Sequence, residues 1–170
     1  MSEELLRLDQ LSIDYRVKGG SLSAVNKVDM TICKGEIFAV VGESGCGKST
    51  VAHSILRLLP GGNAAVTGKI SFKGEDLTQA GDKRMEEIRG REIGMIFQNP
   101  LDSLNPVFRV GSQVQEAIML DNLDKLTAWN RVIDLFRDVK MPDAAERAES
   151  FPHELSGGMR QRVMIAMMLS

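Results

Sequence analysis

Hydrophobic and polar positions alternate one by one near the start of the chain, and that alternation predicts strands. Leu11, Ile13 and Tyr15 are spaced by Ser12 and Asp14, and Val28, Met30 and Ile32 by Asp29 and Thr31. A period of two sends one set of side chains to each face, so the first forty residues read as a half-buried antiparallel sheet. Gly19-Gly20 separates the two strands and Lys34-Gly35-Glu36 turns the chain again. Ile37 to Val41 follows as an unbroken apolar run, the pattern of a strand covered on both faces. Next, Val51, Ile55 and Leu58-Leu59 keep helical spacing until Pro60-Gly61-Gly62 stops it. Ile70 and Phe72 mark a further strand, Asp82 to Arg91 a solvated helix, and Ile93 to Phe97 another strand whose end delivers Gln98. From Asp102 onward the period becomes helical. Val110, Val114, Ala117 and Ile118 fit one face, Leu126, Trp129, Ile133 and Phe136 a second, and Gly157 to Ser170 forms a last helix, apolar on several sides.

Composition narrows the class. In 170 residues, 43% are hydrophobic and 26% charged, which suits one ordinary globular core. Lys plus Arg number 21 against 23 Asp plus Glu, and a net charge of -2 gives no electrostatic reason to expect a nucleic-acid partner. The acidic start MSEELLRLDQ lacks the features of a secretory signal, and the longest apolar runs fall far short of the roughly 20 residues that cross a bilayer. A cytosolic chain is expected, with any membrane link made through a partner. Cys33 and Cys46 are expected as free thiols, since a reducing compartment disfavours disulfides. Neither they nor His53 and His153 show metal-ligand spacing.

Between the apolar run and the first helix lies Gly42-Glu43-Ser44-Gly45-Cys46-Gly47-Lys48-Ser49, followed by Thr50. The pattern G-x-x-x-x-G-K-[ST] in a strand-to-helix setting is that of a phosphate-binding loop. Its glycines let several N–H groups converge on phosphate oxygens, and the helix beginning near Lys48 adds its positive dipole end. Lys48 is expected to reach the β- and γ-phosphates, and the Ser49 hydroxyl to take one coordination position on Mg²⁺. Cys46, beside a cation and a helix N-terminus, is expected to be a reactive thiol rather than a catalyst, and a small residue that a tight loop tolerates is favoured over any redox role. Much later, Leu155-Ser156-Gly157-Gly158 supplies a second candidate: Ser156 is a good helix N-cap, and the two glycines bare the first N–H groups of the last helix.

Leu155-Ser156-Gly157-Gly158-Met159-Arg160-Gln161-Arg162 resembles the signature motif of the ABC-type ATPases, with Met159 where many members carry Gln. The resemblance implies a P-loop NTPase of α/β class that binds ATP with Mg²⁺. Its core carries an N-terminal antiparallel β subdomain and a helical subdomain, and its central sheet is incomplete in this chain. The expected boundaries are a nucleotide-binding core over 1–101, a helical subdomain over 102–154, and the signature motif with its helix over 155–170. In that family the signature of one subunit caps the nucleotide held by the other subunit's phosphate loop. Gln98, before Asn99-Pro100, resembles the glutamine that joins the Mg²⁺ and attacking-water network and couples to the membrane subunit. Tyr15 resembles the aromatic that stacks on adenine, a buried strand tyrosine being the alternative.

Gln98 to Pro106, with Phe151-Pro152-His153-Glu154 leading into the signature, is similar to the dipeptide, oligopeptide and nickel importers. That implies transmembrane permease partners at the inner face of the membrane, a homologous ATPase subunit, and peptides as cargo. The family continues past the signature helix into an Asp-Glu strand and a switch His that do not occur here. The expectation is therefore that nucleotide binding survives where turnover does not, and that residues 1–170 alone are less stable than a complete subunit. A non-hydrolysing nucleotide-binding module is the alternative function. Soluble ABC proteins of repair or translation, and small-molecule kinases with the same loop, fit the layout less well.

Overall fold

A computed structural model describes residues 3–97, 103–119 and 123–170. Two compact units emerge, Met1–Ile93 and Gly94–Ser170. In the first, β1 (Glu4–Val17), β2 (Gly20–Cys33), β3 (Ala64–Phe72) and β4 (Glu75–Asp76) form an antiparallel sheet in the order β2-β1-β3-β4. The alternation predicted for β1 and β2 is realised, but with a change of phase. Leu6 and Leu8 are buried at even positions, and Leu11 and Ile13 at odd ones. Gln10 absorbs the difference. It takes a left-handed backbone (φ 49°), and the register with both neighbours shifts there: Leu8 pairs Met30 and Leu11 pairs Val28, while Asp9 pairs Lys69 and Ser12 pairs Thr67. One extra residue in β1 thus keeps a single apolar face, where a simple slip would turn every later side chain over. Gly68 lies opposite with φ 88°, and a Cβ there would sit 2.4 Å from the Gln10 carbonyl oxygen, so only glycine fits. The bulge amide itself donates to the Asp29 carboxylate at 2.8 Å.

Helix α1 (Lys48–Ile55) packs against β2 of the sheet, and Ser54 and Leu56 at its end are buried. It stops four residues before Leu59, because Arg57 turns left-handed (φ 51°) and closes the end: Leu58 N–H donates to His53 O at 2.8 Å and Arg57 N–H to Ser54 O at 3.1 Å. Helix α2 (Asp82–Glu87) and a single π turn (Ile88–Glu92) follow, as the charged stretch predicted. Their end is fixed by ion pairs: Glu92 binds Lys73 and Arg84, each at 2.7 Å, and Arg84 also binds Glu75. Lys73 first, then Arg84, holds the Glu92 carboxyl below its ordinary range.

Two predicted strands are corrected. Ile37 to Val41 and Ile93 to Phe97 have no regular structure, and Ile37 is fully exposed. A strand covered on both faces needs strand neighbours to take its N–H and C=O groups, and the sheet among the described residues includes neither run.

In the second unit, α3 (Val110–Met119), α4 (Lys125–Asp138), α5 (Ala144–Ala148) and α6 (Gly157–Met168) enclose one apolar core. Val110, Val114 and Ile118 of α3 face it as predicted. On α4 the inward stripe is Ala128, Val132, Leu135 and Phe136, with Trp129 and Ile133 at its margin and Leu126 turned to solvent. The buried stripe is therefore rotated from the predicted face, with only Phe136 common to both. From α6, Val163, Met164 and Ala166 complete the core.

Candidate functional site

The candidate residues fall in both units. In the first, the chain leaves Ile37–Val41 and makes the turn from Gly42 to Gly47, after which α1 begins. Gly47 is the N-cap of α1, left-handed at φ 93°, and no side chain caps that helix. A Cβ on Gly47 would stand 2.4 Å from the Ala24 carbonyl oxygen and 3.3 Å from Val25 Cγ2, so the loop rests directly on β2. Glycine is required twice over, by backbone angle and by space. At Gly42 a Cβ would meet Cys46 Sγ at 2.7 Å, which closes the loop on itself. The sequence signal that α1 starts uncapped was the glycine; that β2 would supply its floor at Ala24 and Val25 carried no signal.

Lys48 bends back into the loop. Its Nζ donates to Gly42 O at 2.8 Å and to Glu43 O at 2.6 Å, and lies 3.4 Å from Cys46 Sγ. The ammonium thus hangs among backbone groups at the open, positive end of a helix, next to an exposed Ser49 and to Thr50 in the first turn. Glu43, Ser44, Gly45 and Cys46 are exposed. The uncapped start of α1, one cation held by two loop carbonyls and an exposed hydroxyl suit an anion with several oxygens. The residues present therefore fit a nucleotide's phosphates, and the Ser49 hydroxyl is the type of hard oxygen ligand that Mg²⁺ takes. Among the described residues, no group of three or more His, Cys, Asp or Glu side chains could hold a metal ion. Gln98 lies outside the described residues. Tyr15 is half-buried on β1, in register with Leu22 and Ala64. Cys33 and Cys46 are free thiols.

In the second unit, Leu155 is buried and anchors the turn before α6, whereas Ser156, Gly157 and Gly158 are exposed. Ser156 is the N-cap, its Oγ accepting from Met159 N–H at 3.3 Å. Ahead of it a 3-10 turn (Pro152–Glu154) is closed by the Glu154 carboxylate, which accepts from Phe151 N–H at 2.7 Å. Two arginines on the same helix, which motif reading passed over, brace this end. Arg160 donates to Pro152 O, and Arg162 to Val139 O and Lys140 O.

The family model described as ABC transporter matches residues 25–170. A dipeptide transport ATP-binding protein of Bacillus subtilis is 46% identical over 98% of this chain and 50% of its own length. An oligopeptide transport ATP-binding protein of Escherichia coli is 40% identical over 99% of this chain, again 50% of its own length. The chain thus spans about half the length of these curated relatives. Among solved structures, a dimeric ATP-binding cassette in a post-hydrolysis state bound to ADP and Pi superposes with a TM-score of 0.84 at 24% identity, covering 97% of this chain and 69% of that one. A cassette from Clostridium perfringens, part of an ABC transporter complex, gives 0.78 at 25% identity, covering 98% of this chain and 61% of that one. The fold matches an ATP-binding cassette, and the family model spans both the glycine loop and the capped glycine pair, so the chain belongs to the ABC transporter family.

Proposed function

We propose that this chain binds ATP in the loop Gly42–Thr50 and is part of the ATP-hydrolysing subunit of a transporter that imports peptides. The observation that carries the reading is the uncapped start of α1 with the Lys48 ammonium held at its mouth. Backbone amides and Lys48 would take the phosphate oxygens, Tyr15 would stack on the base, and Ser49 with Gln98 would hold Mg²⁺. That ion supplies charge neutralisation for phosphoryl transfer when bound. Ser156, Gly157 and Gly158, set by buried Leu155, would cap the nucleotide of a homologous second subunit, consistent with the dimeric cassette of the same fold. The relatives' names favour peptides as cargo and permease subunits as partners. A peripheral position on the inner face of the membrane suits a chain in which, among the described residues, no helix is long and apolar enough to cross it.

The test is ATP binding and phosphate release by residues 1–170 and by a chimaera that continues into the remaining half of the Bacillus subtilis relative, each beside Lys48→Ala. Loss of this charge-assisted contact should weaken ATP binding by about 1.5 to 3 kcal/mol, or roughly 10- to 150-fold. Equal affinity in the variant and its parent overturns the proposal. Tight binding with no phosphate release from either chain favours the alternative, a nucleotide-binding module without turnover.

A further inference from the structure

The exposed end of α6 raises a question of support. A Cβ added at Gly157 or Gly158 would touch nothing within 4 Å, so the two glycines themselves press nothing into the core, and Leu155 before them is the buried residue of the turn. The body of the helix is held by Val163, Met164 and Ala166. Leu155 and the Ser156 cap hold the near side of the turn, and its far side needs a second support.

The end of α4 supplies it. That helix finishes at Asp138 with Lys140 left-handed (φ 59°); Lys140 N–H donates to Arg137 O at 2.9 Å and Met141 N–H to Phe136 O at 2.8 Å, while Met141 is buried beneath. Such a closure satisfies earlier carbonyls and leaves the next ones unclaimed. Arg162 Nη1 claims both, donating to Val139 O at 2.6 Å and to Lys140 O at 2.5 Å. A guanidinium here also meets the negative end of α4. From the other side Arg160 donates to Pro152 O at 3.3 Å, which ties the 3-10 turn before Ser156 to the same helix.

We propose that Arg162, assisted by Arg160, is a positioning residue that pins the glycine-bearing end of α6 to the end of α4 and so preorganises its amides for a nucleotide's phosphates. The functional half of this inference rests on the proposed capping role of Ser156 to Gly158. Neither arginine touches the nucleotide in this scheme. The loop Gly42–Thr50 binds without them, so the clamp acts on turnover and not on the first binding step.

The experiment uses Arg162→Met, which keeps the apolar stem, and Arg162→Lys, which restores a cation with several donors. Amide exchange in residues 1–170 should accelerate about tenfold in segments 139–142 and 157–162 of the Met variant, with α3 unchanged. In the hydrolysing chimaera, kcat should fall about tenfold at unchanged ATP affinity, and Lys should recover most of both effects. Exchange that rises evenly over 103–170, a Lys variant as impaired as Met, or a Met variant with the parent's kcat overturns the proposal. A parent chain that binds no nucleotide sinks the proposed function instead, and the exchange pattern then upholds or overturns the clamp by itself.

Discussion

Among the described residues, six other than glycine hold a left-handed backbone, and two of them, Arg57 and Lys140, end helices. Left-handed geometry costs an ordinary L-residue about 1 to 2 kcal/mol, so each persists because its surroundings hold it. Arg57 is retained by its guanidinium, which donates to Leu77 O at 2.6 Å. Lys140 has no such role in the clamp, since only its carbonyl is used. Lys140→Gly should therefore raise stability by roughly 0.5 kcal/mol, after the added freedom of the unfolded chain is subtracted, and a thermal melt checks it. The opposite holds at Gly47, where Gly47→Ala adds a Cβ 2.4 Å from the Ala24 oxygen at φ 93°. It should cost at least about 2 kcal/mol locally and abolish ATP binding in a fluorescent-nucleotide titration. These residues also explain what the sequence hid. Glycine is the usual signal of a helix end, and Arg57 in its place is what carries the sequence reading of α1 on to Leu59. Glycines in the loop, by contrast, announce themselves.

Elements built from local rules were legible. Ser156 caps α6 where its position before two glycines predicts, and Ser156→Ala should cost about 1 kcal/mol, read as a lower denaturant midpoint. At α4 the cap is Asp124, whose carboxylate accepts from Leu126 and Thr127 N–H groups, each at 3.1 Å. The hydrogen bond with the Thr127 side chain first, then those backbone donors, holds its carboxyl below the ordinary range. A depressed folded-state value means that the contribution is complete at neutral pH and vanishes as pH falls from the ordinary aspartate value through the folded one. Asp124→Asn caps without titrating, so its melting temperature should depend less steeply on pH in that acid window. The runs Ile37–Val41 and Ile93–Phe97 were read correctly as apolar and wrongly as strands. Their pattern states what they would bury, while a ladder depends on partners that periodicity cannot supply. The Gln10 bulge was missed for a related reason: Leu6, Leu8 and Leu11, Ile13 each alternate, and only the shift between them shows the extra residue.

At the scale of the molecule, both units bury apolar side chains, and each also leaves an apolar stretch exposed. Ile37 is 100% and Val41 90% exposed, with Phe38, Val40, Ile96 and Phe97 all more than 40% exposed. Exposed apolar chain of this kind invites association. Residues 1–170 alone should therefore bind a hydrophobic dye and scatter light as concentration rises, and Ile37→Thr with Val41→Thr should reduce both without lowering the melting temperature. A sharp melt at high temperature with no dye binding would contradict this. Elsewhere in the first unit, Glu92 ties Lys73 of the β3–β4 turn to Arg84 of α2 by ion pairs. The Lys48 ammonium, lodged against Gly42 O and Glu43 O, makes occupancy of the loop an exchange and not an addition. A guest must outbid two internal acceptors before it gains anything, so a chloride or a lone sulfate competes poorly. A chain of linked phosphates, meeting amides and ammonium together, recovers the loss, so the lysine's internal contacts tilt the loop toward longer anions.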